Sequence, residues 1–391
     1  MLRYKMTKLE YVLYFVICIL LLIGVVPAFK EILERRYIEL LYKGLPYIVY
    51  ALFFREILKI NIYCKMYLLV MLLGALLHIG MDLPVPIIED FLRWTMLAML
   101  LGVGQKYGCF NKVFTVIILL FFMSECVIAI YERLTTTFTI DYLDSDTYDL
   151  NNESSEFESF RSASLFRHPL NNANFISLFL GFLLCSKLRN RVFKYLLFLI
   201  GLIALWSENS RGAMVCWLFL LFYRFFLFNL NFKKVIIAGV FLLFILDPLI
   251  TLFLSTDLGG RLNFDFSDDS TMTRFLSYTI FINEKWDFYR ILTGGSIIYM
   301  PGTILSLENG VLLTLGYWGW IIGALKVVLE FLLTYKCLYN YNIKDKIIIL
   351  TSFWGVAYMN NNSFNPLLLS MFVIVFIAFN VSKDKCLLKD S

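Results

Sequence analysis

Long apolar runs separated by short polar turns dominate the sequence and restrict what the chain can fold into. Of the 391 residues, 60% are hydrophobic and only 17% are charged, whereas soluble domains carry about 25% charged residues. A helix needs roughly 20 apolar residues to cross about 30 Å of hydrocarbon. The pattern therefore predicts an all-α integral membrane protein in which residues 1–391 form a single polytopic helical bundle.

The apolar runs predict about twelve membrane spans. They lie at about 10–29, 38–54, 65–80, 88–104, 113–131, 171–186, 194–207, 212–229, 234–254, 309–333, 346–359 and 364–381. The first run follows a basic start, as a secretory signal would. Because it is too long for a signal and lacks a clear cleavage site, we expect a retained span.

The basic residues between the runs predict the orientation of the chain. Lys and Arg concentrate in loops that fall on one side of the twelve-span scheme, such as 55–65, 187–194 and 383–389. Since basic loops stay in the cytoplasm, both termini are predicted to be cytoplasmic. The two longest polar segments, 132–170 and 255–308, then face outward. The net charge of +5 is thus a topology signal and predicts no nucleic-acid partner.

The second outward segment contains an aromatic pattern with helical spacing. Phe275, Tyr278, Ile282, Trp286 and Tyr289 recur every three or four residues. Such a stripe suits a helix that lies in the membrane interface with its aromatic face in lipid. A helix packed on the outer surface of the protein itself would show the same pattern.

The first outward segment ends with Arg161, Arg167 and His168, directly before an apolar run. Pro169 suits the first turn of a helix, where its missing N–H costs nothing. Guanidinium groups make paired hydrogen bonds to phosphate oxygens. Holding lipid headgroups is the structural interpretation of these arginines, and a functional role for the segment is the alternative.

A second arginine stands at a predicted hairpin between two spans, in the sequence Ser210-Arg211-Gly212. A cation at the mouth of a helical bundle is costly unless it has an anionic partner. Glu208, three residues earlier, is one such partner. An anionic ligand is the other.

The third segment combines Arg274, the pair Gly294-Gly295 and the pair Glu308-Asn309, which opens an apolar run. A carboxylate at the start of a helix is stabilised by the partial positive charge of the helix N-terminus. Ordinary helix capping accounts for Glu308 and Asn309, and a functional role for the carboxylate is the alternative.

Together and in this order, the three segments resemble the O-antigen polymerase and O-antigen ligase family of membrane glycosyltransferases. Its members share an Arg-x-x-Gly-x-Phe-x-His/Asn-Pro-Asn segment, a Ser-Arg-Gly turn, and a late outward loop. That loop has an Arg, a Gly-x-Gly and a His-Asn-x-x-Leu segment that continues to a Gly. The matching residues are Arg161, Phe166, His168, Pro169, Ser210, Arg211, Gly212, Arg274, Gly294, Gly295, Asn309, Leu312 and Gly319.

The resemblance covers roughly residues 155–325 and has three departures. Ser164 stands in place of a Gly, and Leu170 stands where an Asn is usual. Glu308 stands where ligases have His. Because that His is characteristic of ligases, its replacement favours a polymerase.

The resemblance implies a GT-C-like fold and an inverting, metal-independent transfer that needs no cofactor, at the outer face of a bacterial cytoplasmic membrane. The implied donor and acceptor are oligosaccharides linked to undecaprenyl diphosphate. A chain-length regulator and a flippase are implied as further partners. The implied catalytic residues are Glu308 as base with Arg211 and Arg274 at the leaving diphosphate, and the implied binding residues are Arg161, Arg167, His168 and Asn309.

Other functions remain open at the level of sequence. A ligase of the same family would use the same arginines with a different acceptor. A flippase or transporter for the same lipids predicts charges deep in the bundle, and a structural partner explains none of the arginines. Glu125 and Asp247, which lie within predicted spans, are expected to line a sugar channel or to pair with arginines.

Overall fold

A computed structural model describes most of the chain. The described residues are 8–32, 35–57, 61–80, 87–107, 112–139, 160–186, 190–227, 279, 281–283, 286–294, 310–359 and 366–379. All regular secondary structure in these ranges is helical, which confirms the all-α prediction for them.

The helices are numbered here in chain order. They are α1 (Lys8–Val25), α2 (Pro27–Ile32), α3 (Arg35–Ile57), α4 (Ile62–Gly80), α5 (Ile87–Tyr107), α6 (Lys112–Thr135), α7 (Pro169–Cys185), α8 (Arg191–Ser207), α9 (Arg211–Phe222), α10 (Phe288–Thr293), α11 (Gly310–Trp318), α12 (Trp320–Cys337), α13 (Ile343–Leu350), α14 (Val356–Met359) and α15 (Pro366–Phe379). Five-residue π-helical turns, Tyr223–Leu227 and Thr351–Gly355, follow α9 and α13.

Every predicted span except one overlaps a helix or a series of consecutive helical elements, as where α13, a π-helical turn and α14 occupy 346–359. The exception, 234–254, lies outside the described residues. Two helical segments are long and apolar enough to cross a membrane, Ile62–Ile79 and Val113–Thr135. Five shorter apolar helices are Val12–Val25, Phe91–Gly104, Pro169–Cys185, Gly212–Phe225 and Leu367–Phe379.

Two of the predicted spans are each divided by a local feature of the backbone. Pro27 has no N–H to continue α1, and it occupies the first position of α2 instead. Gly319 separates α11 from α12 with a φ of +82°. A residue with a side chain rarely adopts that φ, so glycine is the natural choice there.

The described chain divides into two compact units. The first comprises Met1–Phe121, Leu276–Asn342 and Asn361–Ser391, and the second comprises Phe122–Phe275 and Ile343–Asn360. The boundary at residues 121 and 122 falls within α6.

In the first unit, α4 packs against α5 and α12, and α1 packs against α3. An ion pair lies within this packing. The Nζ atom of Lys326 is 2.6 Å from Oε1 of Glu330, one helical turn further along α12, and both side chains are buried. The Tyr67 hydroxyl donates to the same Glu330 oxygen at 2.7 Å. The Trp94 ring covers the Lys326 ammonium at 3.4 Å from the ring centroid.

In the second unit, α7 packs against α8 and α13. The apolar residues of α7 are almost all buried, and the Phe179 ring stacks on Phe122 of α6 at a centroid distance of 3.8 Å. This packing fixes the start of α7, where the first arginine segment ends.

Candidate functional site

The first arginine segment is held by a buried carboxylate at the end of α6. Oε2 of Glu132 accepts hydrogen bonds from the Ser162 hydroxyl at 2.9 Å, the Ala163 N–H at 3.0 Å and the Ser164 N–H at 2.9 Å. Oε1 of Glu132 accepts from the Thr139 N–H at 3.0 Å. The carboxylate is fully buried. Four hydrogen bonds therefore compensate the cost of removing it from water.

Arg133, which follows Glu132 in α6, contacts the backbone directly before Arg161. Its Nη1 donates to the carbonyl oxygen of Phe160, and its guanidinium lies over the Trp206 ring, 5.1 Å from the ring centroid. Arg133 is 3% exposed, so both contacts form in an environment with little water. Trp206 lies near the end of α8, and Arg133 thus touches both the loop at residue 160 and the approach to the hairpin.

The hairpin between α8 and α9 meets the same loop. The Ser162 N–H donates to the Ser207 carbonyl at 3.3 Å. Ser210 is the N-cap of α9, and its hydroxyl accepts from the Ala213 N–H at 3.4 Å. Serine is a favoured N-cap because it satisfies an otherwise free N–H of the first turn. Arg211 is therefore the first residue of α9.

Asn172 forms a second link between the loop and the hairpin. Its Oδ1 accepts from the Phe166 N–H at 3.1 Å, and its Nδ2 donates to the Ala163 carbonyl. The same Nδ2 lies 3.3 Å from Oε2 of Glu208, to which it donates. Asn172 and Glu208 are both fully buried. A single amide side chain thus joins the first turn of α7, the arginine loop and the end of α8.

Three residues in these segments adopt left-handed backbone conformations without being glycine. Their φ angles are +41° at Ser164, +56° at Arg167 and +51° at Asn209. Such angles are uncommon for residues with a side chain and persist where surrounding contacts impose them. The φ at Ser164 is one that glycine adopts without steric cost, so the serine is held there by its hydrogen bonds to Glu132 and to the Glu125 carbonyl.

The electrostatic surroundings link Arg161 to two titratable groups. Burial raises the pKa of the Glu208 carboxyl well above its ordinary value, and the nearby Glu125 raises it further. The amide of Asn172 and the charge of Arg161 act in the opposite direction on Glu208. Arg161 therefore lies close enough to Glu208 for its charge to act on that carboxyl.

His168 is the N-cap of α7. Its Nδ1 accepts a hydrogen bond from the Leu170 N–H at 3.3 Å, which requires an unprotonated nitrogen. The surrounding protein leaves part of the side chain exposed. Restricted access of water, together with the charge of Arg161, nevertheless lowers the pKa of His168 to about 4. The imidazole is therefore neutral at neutral pH.

The structure thus brings together some of the predicted site residues. Arg161, Arg167 and His168 lie in one loop, which is hydrogen-bonded to the hairpin that ends at Ser210. The backbone of Arg211 follows directly, while the position of its side chain is outside what the structure describes. Three predicted residues, Arg274, Glu308 and Asn309, also lie outside the described residues, and their roles stay predictions.

Part of the third predicted segment is described in the first unit, where Gly294 and Gly319 pack backbone to backbone. A β-carbon at Gly294 would lie 2.4 Å from the Gly319 nitrogen, and one at Gly319 would lie 2.3 Å from the Leu292 carbonyl oxygen. Gly294 also has a φ of +69°. Two glycines of the motif therefore meet at the junction of α11 and α12. Beside this junction, the buried ring of His78 packs against Trp318 with a centroid distance of 5.4 Å.

The predicted interfacial helix is divided where it is described. Helix α10 begins at Phe288 after its N-cap Asp287, so Trp286 precedes the helix. Trp286 packs against Phe281 and Trp320, while Ile282 and Tyr289 are exposed. Ile282 and Tyr289 are thus exposed as predicted, whereas Trp286, also predicted to face lipid, packs against protein as the alternative interpretation predicts. Phe275 and Tyr278 lie outside the described residues.

Sequence reasoning missed three residues that organise this site: Glu132, Arg133 and Asn172. The predicted span ended at residue 131, whereas α6 continues to Thr135. Adjacent opposite charges at the end of a span were the available signal, because such groups need partners near a membrane. The predicted pairing of Glu208 with Arg211 stays a prediction, because the Arg211 side chain lies outside what the structure describes; the structure shows a contact of Glu208 with Asn172 and its proximity to Arg161.

Comparison with known proteins adds no identification. The chain matches no protein-family model, and no curated protein and no solved structure is a significant match to it.

Proposed function

We propose that this protein is a polysaccharide polymerase at the outer face of a bacterial cytoplasmic membrane. It transfers a glycan from a polyprenyl diphosphate donor to a second lipid-linked oligosaccharide repeat. The chain crosses the bilayer about twelve times, with both termini in the cytoplasm and residues 132–170 and 255–308 outside. The two long apolar helices and the five shorter ones are consistent with this arrangement.

One observation carries the proposal. The loop with Arg161 and the hairpin that leads into Arg211 are joined by the Ser162 to Ser207 hydrogen bond and by Asn172. These segments are 50 positions apart at their arginines and were singled out independently by motif. A glycan-transfer site of the proposed kind needs both of them at one place.

The chemistry follows from the leaving group. When the anomeric carbon is attacked, the bond to the diphosphate breaks and negative charge builds up on the bridging oxygen. Guanidinium groups remain charged at all physiological pH values and donate paired hydrogen bonds to phosphate oxygens. In this proposal Arg211 and Arg274 stabilise the departing diphosphate, and Arg161 and Arg167 bind it with His168 nearby.

The acceptor hydroxyl must lose a proton as it attacks. Glu308 is the proposed base, with Asn309 beside it, at the point where the chain enters α11 at Gly310. A positioned carboxylate contributes about 10²–10⁴ in rate to such a step. The arginines supply the positive charge in this scheme, so the proposed reaction uses neither a metal ion nor a cofactor.

A lipid-linked oligosaccharide transporter is a second candidate, because Lys326 and Glu330 are buried within the first unit. Charges at such depth are typical of transport pathways. Here the two charges face each other, with Tyr67 and Trp94 against them. That arrangement equally suits a closed structural contact, and it accounts for none of the outward arginines. A ligase of the resembled family differs from a polymerase only in its acceptor.

The proposal is tested with purified protein in lipid nanodiscs and a defined undecaprenyl diphosphate oligosaccharide. A polymerase produces a ladder of longer lipid-linked products and releases one undecaprenyl diphosphate for each new glycosidic bond. Elongation is expected to persist in EDTA. Transfer only to a different acceptor, such as a lipid A core, indicates a ligase. If the donor is moved across sealed vesicles without any new glycosidic bond, the polymerase proposal is rejected in favour of transport.

A further inference from the structure

We infer that Glu132 is a positioning residue for Arg161, acting together with Arg133 through the backbone on either side of it. The inference rests on the proposed function, since it assigns to these residues the task of aiming an arginine at the donor diphosphate. Neither residue belongs to the motifs of the resembled family that the sequence displays. The observations that carry the inference are contacts within the second unit.

The contacts of Glu132 converge on the residues directly after Arg161. One carboxylate oxygen receives the Ser162 hydroxyl and the N–H groups of Ala163 and Ser164. Successive N–H groups that point at one oxygen form a nest of the kind that binds anions, and here the anion is part of the chain. The left-handed φ of Ser164 lies within this nest. Residues 162–164 are therefore tied to the last full turn of α6.

Arg133 holds the residue directly before Arg161. Its guanidinium donates to the Phe160 carbonyl and is covered by the Trp206 ring. Consecutive residues of α6 thus fix the chain at positions 160 and 162–164. The backbone of Arg161 is held between them, while its side chain is only partly buried.

Glu132 is too deeply buried to touch a substrate itself. Its side chain is fully buried, and both of its oxygens are occupied by protein hydrogen bonds. Its effect on the reaction must therefore pass through the loop that it holds. A displacement of about 1 Å at a group that binds the reacting centre costs on the order of 10²-fold in rate. Glu132→Gln removes the negative charge, and whichever way its amide is turned, the NH2 group faces an N–H donor of either the nest or Thr139, so the substitution is expected to loosen the loop.

A double-mutant cycle on the elongation reaction tests whether Glu132 acts through Arg161. Glu132→Gln and Arg161→Gln are each expected to lower kcat by about 10²-fold, with the KM for the acceptor unchanged. Because the two act through one group, the double variant should fall within about threefold of Arg161→Gln alone. A purely structural role for Glu132 predicts instead that the two losses multiply, and that result overturns the inference.

A milder variant tests the same contacts in case Glu132→Gln prevents the protein from folding. Ser162→Ala removes one of the hydrogen bonds to Glu132 and leaves the carboxylate in place. It is expected to lower kcat by about threefold to tenfold, in line with about 1 kcal/mol for one hydrogen bond. Thr135→Ala is the matched control. Thr135 is an exposed residue in the same last turn of α6, and its hydroxyl donates to Tyr131. Its kcat should equal that of the unaltered protein.

A proteolysis experiment measures how readily the loop opens and does not depend on enzymatic activity. Trypsin cleavage after Arg161 and Arg167 releases the peptide of residues 162–167, which mass spectrometry measures in nanodisc-embedded protein. Cleavage after Arg161 is expected to be at least about tenfold faster in Glu132→Gln and unchanged in Thr135→Ala, because local opening governs the cutting rate. Equal rates in all three proteins overturn the inference, whether or not the protein elongates a glycan. If cleavage accelerates but no elongation occurs in the unaltered protein, the proposed function fails while the anchoring by Glu132 stands.

Discussion

The buried ion pair of the first unit offers a stability prediction that can be worked from its contacts. Lys326 and Glu330 are 1% and 0% exposed, so the attraction between the two charges replaces the interactions with water that each lost on burial. Replacing Lys326 with Met removes the cation and leaves the carboxylate with only the Tyr67 hydroxyl as a described partner at Oε1. The reverse change, Glu330→Leu, leaves the ammonium with the Trp94 ring.

The expected magnitudes differ sharply between single and double changes. Breaking a buried pair by removing one partner costs about 3–5 kcal/mol, because an uncompensated charge stays buried. Exchanging both charges for neutral groups of similar volume is commonly neutral or stabilising. We therefore expect Lys326→Met to lower the free energy of unfolding by about 3–5 kcal/mol. The double variant with Lys326→Met and Glu330→Gln keeps an acceptor for Tyr67 and should lie within about 1.5 kcal/mol of the unaltered protein.

The assay is reversible unfolding by SDS in mixed micelles, followed by tryptophan fluorescence. Trp94 lies against Lys326 and reports on the same region. Lys336, half-buried near the end of α12 with its ammonium 5.4 Å from the centroid of the Tyr63 ring, provides the control substitution Lys336→Met, for which about 1 kcal/mol or less is expected. A single variant that unfolds at the same SDS fraction as the unaltered protein would refute the reasoning. So would a double variant that is as unstable as either single one.

Three further predictions concern the site. Ser164→Gly should change the free energy of unfolding by less than about 1 kcal/mol. Relief of a left-handed backbone, worth about 1–2 kcal/mol, is offset by the lost hydrogen bond to the Glu125 carbonyl and by chain entropy. Ser164→Val should cost about 3 kcal/mol, and an equal cost for both variants would contradict this explanation. Because the pKa of His168 falls from 6.5 to about 4 on folding, the unfolded chain binds a proton more readily between these values, and stability declines as pH falls through that window. His168→Asn keeps an N-cap acceptor and should remove this part of the decline between pH 7 and pH 5; identical slopes would show that His168 does not titrate in this way. Glu308→Gln should leave the protein inserted in the membrane and reduce elongation by about 10²–10⁴-fold, whereas unchanged polymer yield and length would exclude Glu308 as the base.

The helices were accessible from the sequence because apolar composition and span length constrain each one separately. An apolar run of that length satisfies its backbone hydrogen bonds most simply as a helix, whatever its neighbours are. The ends were harder to place. Glu132 and Arg133 looked like the start of a loop because charges are costly near a span, yet α6 includes both. Their partners at residues 160–164 supply the compensation, and nothing near them in sequence reveals those partners.

The site was predictable only as a set of segments. Motifs singled out Arg161 and Arg211, and the Ser-Arg-Gly sequence was predicted as a hairpin turn between two spans, whereas Arg211 and Gly212 belong to the first turn of α9 and Ser210 is its N-cap. The contact between the segments depends on the side chain of Asn172 and on the backbone carbonyl of Ser207. No sequence pattern marks either group as a contact. The same limit applies in the first unit. A Lys and a Glu four residues apart suggest a pair on a helix, but Tyr67 comes from a different one.

Binding of undecaprenyl diphosphate to the purified protein in nanodiscs tests the central claim most directly, with undecaprenol as the uncharged comparison. The claim is that the Arg161 loop and the Arg211 hairpin form one diphosphate site. The unaltered protein should bind the diphosphate lipid and discriminate against undecaprenol. Arg161→Gln and Arg211→Lys should each weaken binding by at least about tenfold, because each removes paired hydrogen bonds to phosphate oxygens worth 1.4 kcal/mol or more. Equal affinity for the two lipids, or affinities that both substitutions leave unchanged, would contradict the account.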